Sequence, residues 1–67
     1  MQLHQFFRLI PNNIPVVLFD ISPKEIFRGI DKSCIPVNFY EEEVFLISAG
    51  PYPTNKEINS LHIMLRK

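Results

Sequence analysis

Three consecutive glutamates, Glu41 to Glu43, form the densest cluster of ionisable side chains in the sequence. In a strand, neighbouring side chains point to opposite faces, so Glu41 and Glu43 would share one face and Glu42 would lie on the other. A hard metal ion needs several oxygens from different parts of the chain, and Asp20 and Asp31 are the only aspartates. We therefore interpret the triplet as the solvated entrance to a strand, where charge also deters edge pairing, and we expect no metal site.

Basic side chains recur at every fourth position at Lys24, Arg28 and Lys32. In an extended strand the first two lie on the same face, and Gly29 allows another group to approach the main chain closely. These three residues are therefore the best candidates in the sequence for binding a phosphate or a carboxylate. The alternative is that they form ion pairs with the glutamate triplet on a neighbouring strand. The sequence leaves both interpretations open.

The remaining candidates for catalysis lack partners. Cys34 follows Lys32, which can lower the pKa of a thiol, but no histidine lies near it in the sequence to act as its base. His4 and His62 belong to different elements without metal-ligand spacing, so we interpret them as structural. We predict no catalytic residue and no cofactor. Because 67 residues leave little room for a catalytic cleft, we expect a non-enzymatic protein.

Tyr52 lies between two prolines in the segment GPYPTNKE, residues 50–57. A rigid, exposed tyrosine suits an interface anchor, although the same ring can equally fold over the sheet as a lid. Phe39 and Tyr40, which precede the glutamate triplet, are the other two candidates for contacts with a partner.

Composition indicates one small globular domain, residues 1–67, with 46% hydrophobic residues. So much apolar surface in a short chain favours a homo-oligomer. Seven basic and seven acidic residues give zero net charge, which argues against nonspecific binding to nucleic acid. The single cysteine excludes an intrachain disulfide. No segment has the pattern of a membrane span or a signal peptide, so we expect a cytoplasmic protein.

Hydrophobic periodicity predicts a short helix at residues 2–10. Its apolar residues fall on one helical stripe, and Pro11 ends the helix. The stripe consists of Leu3, Phe6, Phe7 and Ile10. A helix of this length is not stable alone, so it must pack on other elements.

The rest of the chain predicts about four strands. The first, residues 15–21, is continuously apolar and is expected to be covered on both faces. A turn at 22–23 leads to a returning strand at 24–30, and a single helical turn is predicted within 36–40. Strands follow at 43–49 and 58–67, separated by a loop at 50–57. This order predicts an α+β domain with one N-terminal helix packed on a small, mostly antiparallel sheet of about four strands.

The chain also resembles a loose family of short proteins carried by phages and prophages of Gram-positive bacteria. The matching positions are Leu3 to Pro11, Val16 to Asp20, Glu25 to Gly29, Ile35-Pro36, Glu43-Val44 and Leu61 to Leu65. These motifs are structural, so the resemblance supplies no catalytic residues. It implies a phage accessory protein in the cytoplasm of the bacterial host.

We expect a non-enzymatic binding protein that inhibits or sequesters a host factor as a homo-oligomer. One form of this hypothesis is a trap for a small anionic signalling molecule bound by the three basic residues. The other is an inhibitor of a host protein that binds through Tyr52, Tyr40 and Phe39. The alternative is a structural or assembly accessory protein of the phage without an inhibitory role.

Overall fold

The chain folds as one short helical layer on a four-stranded sheet, in a computed structural model that describes residues 1–67. The N-terminal helix α1 spans Leu3–Phe6 and continues as a 3₁₀ turn, Phe7–Leu9. Two further 3₁₀ turns lie at Lys32–Cys34 and Val37–Phe39. The strands are β1 (Val16–Phe19), β2 (Glu25–Gly29), β3 (Val44–Tyr52) and β4 (Asn55–Leu65).

The strand order in the sheet is β2-β1-β4-β3. The pairs β1–β2 and β3–β4 are antiparallel hairpins, whereas β1 and β4 run parallel at the centre. The α+β prediction with one helix and a mostly antiparallel four-stranded sheet is confirmed. The helical turn predicted within residues 36–40 is also present, at Val37–Phe39.

The core lies between the helical layer and one face of the sheet. Leu3 and Ile10 of the predicted stripe are buried, and Phe6 and Phe7 pack against the same core. The sheet contributes Val16, Leu18, Ile63 and Leu65, and Ile35 completes the cluster. Full burial of a side chain such as Leu18 or Ile63 stabilises the fold by roughly 1.5–3 kcal/mol relative to exposure.

The helical segment is tied to the chain that precedes β3. The main-chain N–H groups of Leu3 and His4 donate to the carbonyl oxygens of Glu42 and Tyr40, at 2.9 and 3.0 Å. The first N–H groups of a helix have no partner within it, so these long-range bonds stabilise a helix only four residues long. The α-helical part is therefore shorter than predicted, because the second half of the segment tightens into a 3₁₀ turn.

The predicted loop at residues 50–57 is wrong. Gly50 to Tyr52 belong to β3, Asn55 to Glu57 belong to β4, and only Pro53 and Thr54 form the turn between them. Proline is tolerated in an edge strand when its missing N–H would face solvent, and β3 is an edge strand. The two longest strands therefore form a hairpin that extends beyond the four or five residues of β1 and β2. We call residues 50–59 the hairpin arm.

Candidate functional site

One face of the sheet has no helix packed on it, and we call this surface the open face. The strand register places Val17 beside His62, Phe19 beside Met64, and Leu46 beside Met64. These five residues and Ser48, which pairs with His62, form the open face, and the ion pair of Arg28 and Glu25 lies at its β2 edge beside Val17 and Phe19. They alternate with the core residues of the same strands, as expected for a sheet covered on one side. The sequence predicted the two faces of β4 correctly, with His62 and Met64 opposite the core side.

Neighbouring side chains on the open face partly bury one another. Val17 has no exposed surface although no helix lies over it, and its neighbours on this face are Arg28 of β2 and His62 of β4. Phe19, His62 and Met64 are half-buried, and Leu46 is 53% exposed. The prediction that the first strand is buried on both sides is therefore confirmed for Val16, Val17 and Leu18, but a helix covers only one of those sides.

His62 is held in one position on the open face. Its ring lies 5.2 Å from the ring of Phe19, and its Nε2–H donates to the carbonyl oxygen of Pro51 at 3.1 Å. The absence of a side chain at Gly50 makes room for this ring, because a Cβ there would lie 2.5 Å from the His62 Cε1 atom. The open face therefore has a fixed shape at its centre.

The rim of the open face carries an aromatic ring and a cation. Phe45 lies in the bulge where the register of β3 shifts, and it is 47% exposed. The guanidinium carbon of Arg66 lies 4.7 Å from the centre of this ring. Such a cation–π contact stabilises by roughly 0.5–1 kcal/mol at an exposed site. It holds both side chains in place beside Leu46.

The three basic residues proposed as an anion site have separate roles in the structure. The Arg28 Nε–H donates to Glu25 Oε2 at 2.6 Å, so this guanidinium has an ion-pair partner within its own strand. The Lys32 ammonium donates to the carbonyl oxygens of Phe7 and Ile10, and so caps the end of the helical segment. Lys24 is exposed, precedes β2 and has no ion pair.

The space beside Gly29 is also occupied. A Cβ at this position would lie 3.0 Å from the Cβ of Cys34 and 3.1 Å from the ring of Phe27. The side chains of Cys34 and Phe27 therefore fill the space that Gly29 leaves beside the main chain.

The alternative interpretation of the basic residues, ion pairs with the glutamate triplet, is wrong. Strands β2 and β3 are the opposite edges of the sheet, so residues next to them lie too far apart to pair. The triplet instead contacts the two ends of the chain. Glu43 Oε1 accepts from the Met1 amino group at 2.7 Å, and Glu42 Oε2 accepts from Lys67 Nζ at 3.2 Å.

The position of the triplet agrees with a solvated strand entrance. The hydrogen bond and positive charge of the Met1 amino group lower the pKa of Glu43, while Glu41 is exposed. No group of three or more histidine, cysteine, aspartate or glutamate side chains is placed to hold a metal ion.

The aromatic residues proposed as interface anchors are all half-buried. The ring of Tyr40 meets that of Phe7 edge to face at 5.0 Å, and Phe39 lies 6.4 Å from Phe27. Phe39 and Tyr40 therefore cover the core. Tyr52 ends β3 next to the turn of the hairpin arm, so it is the one of the three that lies away from the core.

Asp20 and Asp31, for which the sequence indicated no role, stabilise two loops through hydrogen bonds. Asp31 accepts hydrogen bonds from the main-chain N–H of Ser33 at 3.0 Å, from its hydroxyl at 2.6 Å, and from the N–H of Asn13. Asp20 accepts from Ser22 in the same way. Both follow the pattern Asp-x-Ser, which is typical of such turns and was visible in the sequence. The hydrogen bonds from Ser33 and Asn13 lower the pKa of Asp31 to about 2.

A shallow groove lies at the base of the hairpin arm, on the side of the sheet that faces the helical layer. Its volume is about 520 Å³. The lining is largely apolar and includes Ile14, Pro15, Ala49, Ile58 and Leu61. The groove is a second apolar surface, separate from the open face.

The chain finds no match among protein-family models, curated proteins or solved structures. No helix in the structure has the length and apolar character needed to cross a membrane.

Proposed function

We propose that this protein is a non-enzymatic binding protein that inhibits or sequesters a host protein, and that it binds this partner through the open face. The observation that carries the proposal is the composition of that face, which presents Phe19, Leu46 and Met64 without a covering layer. The expected setting is a phage or prophage and its bacterial host, as the sequence resemblance implies.

The open face has the composition of a protein interface. Aromatic residues, methionine and arginine are enriched at such interfaces, while lysine and acidic residues are depleted from their centres. Strands β1 and β3 contain no charged residue. Phe45 and Arg66 supply an aromatic ring and a cation at the rim. The result is an apolar centre with a more polar border.

The placement of the basic side chains favours a protein partner over a small anion. Binding a phosphate or a carboxylate tightly requires several donors that converge on it. The Arg28 guanidinium is already bonded to Glu25, and the Lys32 ammonium is bonded to two carbonyl oxygens. An anion would have to break both sets of bonds, and Lys24 alone would offer it a free charge.

The experiment compares two substitutions of exposed leucines by lysine. Leu46→Lys places a charge on the open face, while Leu9→Lys places one on the helical layer at a residue that is 68% exposed. Each chain is immobilised, exposed to bacterial host lysate, and the retained proteins are identified by mass spectrometry.

We expect one protein to be retained by the unmodified chain and by Leu9→Lys, and lost with Leu46→Lys. Equal retention by Leu46→Lys would show that the open face is not the binding surface. Retention of no protein at all would contradict the proposal, and recovery of phage particle components would instead favour an assembly role.

A further inference from the structure

We propose that two copies of this chain pair antiparallel along the outer edges of their β3 strands and form one continuous sheet of eight strands. This inference concerns the main-chain groups at the outer edge of β3, which adjoins the open face at Leu46, and it does not depend on the proposed function. It assigns a partner, a second copy of the chain, to the edge that the sheet leaves unpaired.

The outer edge of β3 is available only over its middle. At its start, the Val44 N–H donates to the carbonyl oxygen of Met1 at 2.8 Å, and Gln2 forms a bridge with Glu43. Near its end, Pro51 has no N–H to donate. Between these limits lies the segment Leu46–Gly50, which we call the free edge.

The N–H of Ala49 points outward along the free edge. Pro51 lies opposite Asn59 of β4 and has no N–H with which to bond it. The main-chain nitrogen of Pro51 therefore points away from β4. Main-chain groups two residues apart in a strand point the same way. The N–H and C=O groups of Ala49 and Ile47 therefore point outward and remain available for pairing.

The two edges of the sheet differ in their protection. Natural edge strands are protected from pairing by charged side chains, bulges or short length. β2 is five residues long, carries Glu25 and Arg28, and faces a bulge in its pairing with β1. β3 is nine residues long and carries no charge. A bulge at Phe45 and a proline at Pro51 interrupt β3, but neither a charge nor an irregularity lies between them. The middle of β3 is therefore the part of the two edges best suited to pairing.

The free edge is complementary to itself. When two copies pair antiparallel about a two-fold axis at Ser48, each Leu46 lies opposite the partner's Gly50 and each Ile47 opposite the partner's Ala49. Each large Ile47 meets the partner's small Ala49, whereas each Leu46 meets the partner's His62 ring, which covers Gly50. The two serine hydroxyls can bond across the axis. No like charges meet, and the zero net charge of the chain adds no repulsion between copies.

The pairing would also join the two open faces. Leu46 and Ser48 lie on the open-face side of β3, since they pair with Met64 and His62. Two copies related by the axis therefore present one surface twice as large, with both Leu46 side chains near its centre. Beyond Gly50, the partner's Tyr52 would lie opposite Val44, whose outer edge is occupied by Met1, so the hairpin arm bends away and only five residues pair. This contact is small beside the roughly 1,200 Å² of a stable interface, so we expect a dimer that dissociates on dilution.

The first test measures molar mass by light scattering over a range of concentrations. Ala49→Pro removes an outward N–H from the free edge and leaves every open-face side chain in place, and Ala49→Ser is its matched control. We expect the unmodified chain and Ala49→Ser to rise from 7.9 kDa toward twice that mass, and Ala49→Pro to stay at 7.9 kDa. A chain that is monomeric throughout, or a folded Ala49→Pro that dimerises, would overturn the proposal.

The second test does not depend on how Ala49→Pro folds. Cys34, which is exposed, is first replaced by serine. Ser48→Cys then places two thiols across the proposed axis, at a separation that a disulfide can span. Thr54→Cys places them at the hairpin turn. We expect a mild oxidant such as diamide to cross-link the Ser48→Cys chain faster than the Thr54→Cys chain, and equal rates would count against pairing at β3.

Discussion

At the scale of single residues, short polar side chains fix the loops of this protein. Asn13 is the only residue other than glycine with a positive φ, at 65°, and its N–H donates to Asp31. For most residues with a Cβ, this left-handed conformation costs roughly 1–2 kcal/mol, whereas glycine and asparagine adopt it more readily. Two consecutive asparagines at 12–13 are typical of a turn, but the bond from Asn13 to Asp31 depends on the fold.

Asn13 therefore allows a matched pair of substitutions. We expect Asn13→Ala to lower the free energy of unfolding by about 1 kcal/mol, because alanine disfavours the left-handed conformation, and Asn13→Gly to leave it nearly unchanged. Urea denaturation followed by circular dichroism measures both. If the two variants lost the same stability, the effect would come from the side chain of Asn13 and not from its backbone conformation.

The pKa of Asp31 predicts a loss of stability in acid. Its pKa falls from 3.8 to about 2 on folding, so the unfolded chain binds more protons between these values and stability falls as the pH falls. This contribution is fully present above about pH 4 and is lost toward pH 2. Acid titration followed by circular dichroism should show a shallower loss for Asp31→Asn, which cannot ionise.

A second variant tests the cause of that pKa. The hydroxyl of Ser33 is the strongest single cause of the lowered value, so Ser33→Ala should raise the pKa of Asp31 toward its value in the unfolded chain. The acid loss of stability from this carboxylate should then be smaller and end at a higher pH. Identical acid titrations for Ser33→Ala and the unmodified chain would show that this hydrogen bond does not control the carboxylate.

At the scale of elements, the helical segment depends on contacts from distant parts of the chain. The sequence predicted the apolar stripe that contains Leu3 and Ile10, because helical spacing places both residues on one side of the helix. The sequence did not predict that Lys32 caps the helical segment, since this contact joins residues more than twenty positions apart. Sequence spacing placed Lys32 with Lys24 and Arg28, but the fold assigned it to the helix end.

The role of Lys32 can be separated from that of the other basic residues. Lys32→Met removes the ammonium while keeping much of the apolar stem, so two carbonyl oxygens lose their donor. We expect the free energy of unfolding to fall by about 1 kcal/mol, measured by urea denaturation. Lys24→Met, at an exposed residue without a side-chain partner, should have no measurable effect. Equal losses would contradict the capping role.

The hairpin arm shows where local sequence signals mislead. Gly50, Pro51 and Pro53 predicted a loop by composition alone. Gly50 is instead a strand residue that makes room for the His62 ring, and Pro51 lies at a solvent-facing edge position. Both roles depend on which strands are neighbours, and this was not readable from the residues between 50 and 57.

At the scale of the whole molecule, the parallel pair of β1 and β4 closes the fold. The alternation in β4 and the apolar run in β1 predicted two strands, and the strand at residues 15–21 was expected to be covered on both faces. Nothing local indicated that these strands pair, because some forty residues separate Val16 from its partner Leu61. Their pairing places β2 and β3 at opposite edges, and this separates the basic residues from the glutamate triplet.

Dimerisation also predicts how the whole molecule responds to heat. A domain of 67 residues buries a small core, here eight hydrophobic residues, and is only marginally stable. A partner that binds only the folded state raises the unfolding temperature as its concentration rises. We therefore expect the midpoint of thermal unfolding to rise with protein concentration for the unmodified chain and to stay constant for Ala49→Pro. Calorimetry over a hundredfold concentration range measures this, and a constant midpoint for both chains would argue that the fold does not gain stability from a second copy.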